Sequence, residues 1–275
     1  MPAGKGVRLR PDFGSFAGLL VALAGILGGL ILEGGRMADI AQATGAIIVF
    51  GGTLGAVMIT SPTSSLIGAL KGLKYVFFQP SYKSRKTLDE IVSFATRARR
   101  NGIVSLEPDV DAIADPFLRK ALSLGVDGTD VQDIQQMMHL EIEASERIGK
   151  AEAKVYDAAG GYAPTVGIIG AVLGLIQVMK HLDQIELVGH GIAVAFVATV
   201  YGVGSANILF LPAAAKLRAR VEQSSRMKEL MLEGVVSIVQ GLHPKVIERK
   251  LEPYLDEETS SKNSGPKPMP KSEAA

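Results

Sequence analysis

Residues 158–179 read AAGGYAPTVGIIGAVLGLIQVM, with Asp157 before them, Lys180 after them and no charged side chain between. About 20 residues of α-helix rise roughly 30 Å, the thickness of a bilayer's hydrocarbon core. Three further windows share this character. Asp12 and Glu33 bracket the stretch from Phe13 to Leu32. Asp39 and Lys71 bracket one whose apolar heart is Gly45 to Ile59, and Glu186 and Lys216 bracket one that is apolar from Ile192 to Leu211. The chain therefore reads as an all-α polytopic membrane protein with four transmembrane helices and a helical cytoplasmic domain. Buried helices of a large soluble protein are the alternative, and four such windows in a chain with 5% aromatic residues argue against it. A signal peptide would suit the basic start of the first window (Lys5, Arg8, Arg10). Its apolar run, however, exceeds the roughly 7–15 residues of such a segment, and further spans follow.

Composition narrows the function. Of 275 residues, 47% are hydrophobic and 31 are glycine, so most of the chain has ample apolar surface to bury. With no cysteine there is neither a disulfide framework nor a Cys-ligated metal, and no cofactor is expected. The formal net charge of +1 implies no nucleic-acid partner. Lysine and arginine are unevenly spread. The links from Glu33 to Asp39 and from Lys180 to Glu186 hold one basic residue each, Arg36 and Lys180. Lys71, Lys74, Lys83, Arg85 and Lys86 follow the second span, and Lys216, Arg218, Arg220, Arg226 and Lys228 follow the fourth. The positive-inside rule then puts both termini and the long middle segment in the cytoplasm.

The organisation expected from these features is a cytoplasmic arm (1–12), spans one and two (13–61) and a helical cytoplasmic domain (62–157). Spans three and four (158–212), C-terminal cytoplasmic helices (213–257) and a disordered polar tail from 258 complete it. In the middle segment Leu88, Ile91, Val92 and Ala95 repeat as one helical stripe, which Gly102 can end as a left-handed cap. Pro116 and Gly125 bound a short helix. Thr129 with Gln132 reads as a capping box opening a long helix through Val131, Ile134 and Met138, with Gly160-Gly161 as a point of bending. Beyond the fourth span Leu217, Val221, Met227, Leu230, Met231 and Val235 support an amphipathic extension ending near Gly241, and Pro244 can start a last helix. Small residues four apart recur in the spans: Gly14/Gly18, Gly25/Gly29, Gly51/Gly55, Gly170/Gly174 and Gly202/Ala206. In lipid such pairs permit close helix approach, which points to a tightly packed assembly.

No Asp, Glu, Lys, Arg or His lies inside any span. Ionisable groups at membrane depth mark proton relays. Either the chain moves no ions, then, or a partner supplies the carboxylate. Two prolines, Pro164 and Pro212, each remove a backbone donor from their helix. Thr199 lies near the middle of the fourth span, with Ser205 and Asn207 further along. Its hydroxyl could line a water or proton path, but for a lone intramembrane threonine a bond to its own i−4 carbonyl is the default reading. Asn207 could tie helices together.

The stretch Ala195-Phe-Val-Ala-Thr-Val-Tyr-Gly202, followed by Pro212, resembles the fourth-span signature of the MotA family, the stator subunits of the flagellar motor. Gly204 departs from it, standing where the signature has a larger apolar residue. Pro164-Thr-Val-Gly-Ile-Ile-Gly-Ala-Val-Leu-Gly174 resembles the family's third span, and Arg99-Arg-Asn-Gly-Ile-Val-Ser-Leu-Glu107 its cytoplasmic charged motif. The likeness extends over residues 13–255.

The resemblance implies a torque-generating, ion-conducting subunit with no enzymatic activity. Several copies, expected as a pentamer, would ring a MotB-like single-span partner that binds peptidoglycan and carries the proton-accepting aspartate. It implies that Thr199 and Ala171 line the ion path. Ala171 stands where sodium-driven relatives tend to have threonine, which favours protons. It further implies that Pro164 and Pro212 couple ion binding to movement, and that Arg99 and Glu107, with Arg97 and Arg100, face the rotor (C-ring) protein. The nearest alternative is a TolQ/ExbB-like energy transducer for envelope transport; the extra N-terminal span and the cytoplasmic domain between spans two and three favour the motor. A passive scaffold without ion flow is a further alternative. A membrane enzyme has no support, since P-loop, G-x-S-x-G and H-E-x-x-H motifs are absent.

Overall fold

The computed structural model describes residues 9–80 and 84–255. Lys5, Arg8, Lys83 and the tail expected to be disordered from 258 lie outside them. Strand β1 (Leu9–Pro11) leads into α1 (Phe13–Leu32), and a 3₁₀ turn at Met37–Ile40 leads into α2 (Ala43–Thr60). Helices α3 (Thr63–Gly72) and α4 (Lys74–Phe77) run into β2 (Phe78–Pro80). There follow α5 (Ser84–Asn101), a 3₁₀ turn at Ile103–Leu106, α6 (Glu107–Val110) and α7 (Pro116–Val126). Two long helices, α8 (Val131–Lys180) and α9 (Ile185–Val239), and α10 (Pro244–Leu251) complete the order. Among the described residues four helices are long and apolar enough to cross a membrane: α1, α2, α8 and α9. The first spans the charge-free window from Phe13 to Leu32, because Asp12 accepts the Ser15 N–H as its N-cap and Gly34, at φ +81°, turns the chain away beyond Glu33.

The two short strands pair antiparallel, Leu9 opposite Pro80 and Pro11 opposite Phe78. Nothing in the sequence pattern announced them. Prolines occupy one end of each strand, which stops the ladder after three residues.

The chain forms two compact units. In one, residues 84–145 pack with 223–255. Its core is the stripe foreseen on α5, with Leu88 and Ile91 fully buried among Leu118, Leu122, Ile134 and Leu230. Close approach explains two of its glycines. A Cβ on Gly234 would stand 2.7 Å from Ile91 Cγ2, and one on Gly125 would stand 2.8 Å from Val239 Cγ2. Gly125 therefore does not end its helix: α7 runs on to Val126, and Gly128, at φ +78°, is the left-handed residue that stops it. The capping box at Thr129 is also displaced by one residue. The Gln132 N–H donates to Asp130 Oδ1 at 2.8 Å and the Ile134 N–H to the Asp130 carbonyl, so Asp130 caps α8. Gly102 has positive φ (+82°) where a cap was expected, and Gly241 (φ +72°) lies just beyond the end of α9, near where the extension was expected to stop.

The other unit joins residues 9–80 to 146–222. It holds α1, α2 and the membrane parts of α8 and α9. Helix α8 passes Gly160-Gly161 and Pro164 without leaving the α-helical pattern. Helix α1 has no buried residue; Phe16 meets the rings of Phe77 and Phe78 near its start. Helix α3 packs by Gly68, where a Cβ would run into Glu152 Oε1, and the Tyr156 hydroxyl donates to the Ala69 carbonyl at 3.0 Å.

Candidate ion-path wall of the third and fourth spans

Within the second unit α8 and α9 meet backbone to backbone. A Cβ on Gly202 would lie 2.5 Å from the Ala163 carbonyl oxygen, and one on Gly167 3.0 Å from that of Ala198. On Gly170 it would lie 2.7 Å from Ala198 Cβ, and on Gly174 2.8 Å from the Gly191 carbonyl oxygen. Ala163, Gly167, Gly170 and Gly174 thus face Gly202, Ala198, Ala195 and Gly191 in one antiparallel register. The spacing of small residues on both helices repeats at intervals of four, three and four, which keeps one face of each helix free of bulk. Of the small-residue pairs in the sequence, Gly170/Gly174 and Gly202 serve this seam. Gly18, Gly25, Gly29, Gly51 and Gly55 have open space where a Cβ would stand.

The two expected ion-path residues flank the seam. Thr199 and Ala171 are each half-buried. The Thr199 Cα lies 3.5 Å from where a Gly167 Cβ would stand, and Ala171 is four residues, about one turn, further along α8. The Thr199 hydroxyl donates to the Ala195 carbonyl at 3.2 Å, the i−4 bond that is the default for such a residue. Ser205 Oγ likewise donates to the Gly202 carbonyl, and Asn207 Nδ2 to the Val203 carbonyl at 2.9 Å. Asn207 therefore bonds its own helix, and among the described residues its side chain makes no bond to another helix. All three side chains spend a donor locally and keep acceptor capacity, so the wall offers lone pairs but no group that gains or loses a proton.

The prolines act on neighbouring points. Pro164 has no N–H for the Gly160 carbonyl. A Cβ on Gly160 would lie 2.6 Å from Leu211 Cδ2 and 3.5 Å from the Leu211 nitrogen, so the loosened turn of α8 rests on the residue before Pro212. On α9 a π-turn at Ala206–Phe210 precedes Pro212, and the Leu211 N–H reaches back five residues to the Ala206 carbonyl. Such a turn redistributes the bonds that a mid-helix proline removes. Sequence reasoning had the prolines but neither this contact nor the π-turn. It also missed Tyr201, whose hydroxyl donates to the Ile40 carbonyl and accepts the Gln42 N–H at 3.2 Å, fastening the link between α1 and α2 onto α9.

The four candidate rotor-facing charges divide into two groups. Arg99 and Arg100, in the last turn of α5, and Glu107, which opens α6, are exposed and make no ion pair with any described residue. Arg97 is half-buried. It donates to Asp109 Oδ2 at 2.5 Å and lies 5.2 Å from the centre of the Phe94 ring, which ties α6 to α5.

Two family models match the chain: the MotA/TolQ/ExbB proton channel family over residues 109–230 and the motility protein A N-terminal family over residues 16–102. Motility protein A of Bacillus subtilis is 37% identical over 252 residues, covering 89% of this chain and 91% of its own. Among solved structures, the MotAB complex of C. jejuni matches with a TM-score of 0.85 at 31% identity, over 90% of this chain and 97% of the other. The MotAB stator complex of Bacillus subtilis matches with a TM-score of 0.84 at 34% identity, over 92% and 100%.

Proposed function

The chain belongs to the MotA family of flagellar stator subunits, within the MotA/TolQ/ExbB proton channel family, and we propose that it forms the acid-free wall of a proton path whose carboxylate comes from a second protein. It is a multi-pass inner-membrane protein. One observation carries the proposal: the seam itself, residues 163–174 of α8 against 191–202 of α9, contains no Asp, Glu, Lys, Arg or His. A charge at mid-membrane is costly and needs polar neighbours. The free lone pairs of Thr199 suit that need.

The partner in this reading is a MotB-like single-span subunit carrying an aspartate and a peptidoglycan-binding domain, ringed by several copies of this chain, five as the expectation. Both termini lie in the cytoplasm, as the lysine and arginine distribution supports. Each proton crossing 100 mV releases about 2.3 kcal/mol. Protonating the partner's aspartate removes its charge beside the wall, and the contact of Gly160 with Leu211 supports Pro164 and Pro212 as the joint that moves in response. Arg99, Arg100 and Glu107 present that movement to the rotor, since opposite charges across an interface set docking and register. Arg97 serves by holding α6 to α5.

Ala171 supports protons over sodium. Sodium must replace a hydration shell with several oxygens, whereas a proton needs a carboxylate and a hydrogen-bonded route. The test is swimming driven by this stator with sodium replaced by potassium, and separately with a protonophore. Speed is expected to survive the first and collapse in the second. Collapse without sodium and indifference to the protonophore would refute proton coupling.

A further inference from the structure

A partly buried ion cluster stands beside the Pro212 joint, and the wall described above does not use it. Asp12, the residue before α1, sends Oδ1 to the Ser15 N–H at 3.2 Å. Its Oδ2 accepts Lys216 Nζ at 2.7 Å and Arg220 Nη2 at 2.5 Å. Its own N–H donates to the Phe77 carbonyl at 2.8 Å, continuing the pairing of β1 with β2. The side chains of Asp12 and Arg220 are only 11% and 9% exposed, so these two are not a solvated surface pair, while Lys216 reaches in from the rim at 34%. Lys216 and Arg220 follow Pro212 by four and eight residues and therefore share one face of α9 on successive turns. One carboxylate thus grips both turns immediately beyond the proline.

The space beside the joint is open. A cavity of about 340 Å³ separates Gly14, Gly18 and Ala22 of α1 from Asn207, Ile208 and Pro212 of α9, with Lys216 at its edge. Around Pro212 the two helices therefore do not pack tightly, yet just beyond it they are joined by charge. A helix held on one side of a joint, with free volume at the joint itself, can pivot about the hold.

We propose that Asp12 is a positioning residue for torque generation, pinning the two turns of α9 beyond Pro212 to the start of α1 so that movement at the joint is delivered through both helices. The inference rests on the reading of Pro212 as the joint. Without the pin, α9 would yield at the cavity and the stroke would be lost, while the ion path along the seam would be untouched.

The experiment measures torque per stator unit at high load in single motors, and proton conductance of the membrane complex, for Asp12→Asn, Asp12→Glu, Asp12→Lys and the exchange Asp12→Lys with Lys216→Asp. Asp12→Asn should lose at least fivefold in torque per unit while conductance stays within about twofold of the parent. Asp12→Glu should restore torque, and the exchange pair should recover at least half of what Asp12→Lys loses. Full torque per unit in Asp12→Asn would overturn the proposal, as would torque and conductance falling in equal proportion. If Asp12→Asn fails to insert, the exchange pair decides: recovery supports the pin and no recovery overturns it. A Pro212→Leu arm separates the two ideas, because full torque there with a loss in Asp12→Asn would refute the joint and leave Asp12 as a coupling residue by another route.

Discussion

Arg97 and Arg99 are two residues apart on one helix and have different work to do. Arg97 is half-buried against Phe94 and bonded to Asp109, whereas Arg99 is exposed and unpaired among the described residues. Exposed charges contribute little to stability, and a partly buried charge-assisted bond contributes more. Arg97→Ala is therefore expected to lower the thermal stability of the purified complex and to resist rescue by any rotor change. Arg99→Glu should leave melting unchanged and impair motility until the opposing rotor charge is reversed. Rescue of Arg97→Ala by a rotor charge change, or a lowered melting point in Arg99→Glu, would reverse these assignments. Asp12 belongs to the structural class by burial. Burial alone would raise its carboxyl pKa, but the Lys216 hydrogen bond, the Ser15 N–H and the charges of Lys216 and Arg220 outweigh this and hold it below the ordinary 3.8. A depressed carboxylate contributes stability above its ordinary value and loses it only as pH falls through the lowered one. Near neutral pH Asp12 therefore stays charged, and the proposed pin is expected to act as a fixed strut and not as a pH switch. None of this pairing was legible in the sequence, since Asp12 and Arg220 are separated by 208 positions. Asp12 could be read only as the charge that ends a window.

At the scale of elements, the spans were the most legible part of the chain. The helix Phe13–Leu32 coincides with the first charge-free window because the charges that bound the window also cap and terminate the helix. Glycine was the least legible residue, because one letter serves three purposes. Gly102 turns the chain, Gly125 lets Val239 approach, and Gly25 faces open space. Hydrophobic spacing cannot separate these, which is why Gly125 was misread as a stop. Adjacent capping residues misled similarly, Thr129 and Asp130 both being competent. In the seam, the close approach reverses an ordinary rule. Alanine in place of a mid-helix glycine normally gains up to about 1 kcal/mol. At Gly202 the new Cβ would stand 2.5 Å from a backbone oxygen, and overpacking of this kind costs roughly 1–3 kcal/mol. Gly202→Ala should therefore lower the melting temperature of the detergent-solubilised complex. An increase would show that α8 and α9 do not meet as closely as the antiparallel register requires.

For the molecule as a whole, the third and fourth spans meet in a close seam without Asp, Glu, Lys, Arg or His, and exposed charge stands at one turn between α5 and α6. The four-helix layout and the family were both legible, since hydropathy and three short motifs carry them. The proposed joint beside the wall was legible only as two prolines; the π-turn, the Gly160–Leu211 contact and the cavity are products of packing between distant segments. The central claim is that this wall holds no working acid. Proton flux into vesicles containing the chain alone, the chain with its single-span partner, and the chain with that partner's membrane aspartate changed to asparagine tests it most directly. Flux is expected only in the second preparation. Proton flux through the chain alone, or undiminished flux with the asparagine partner, would contradict the account.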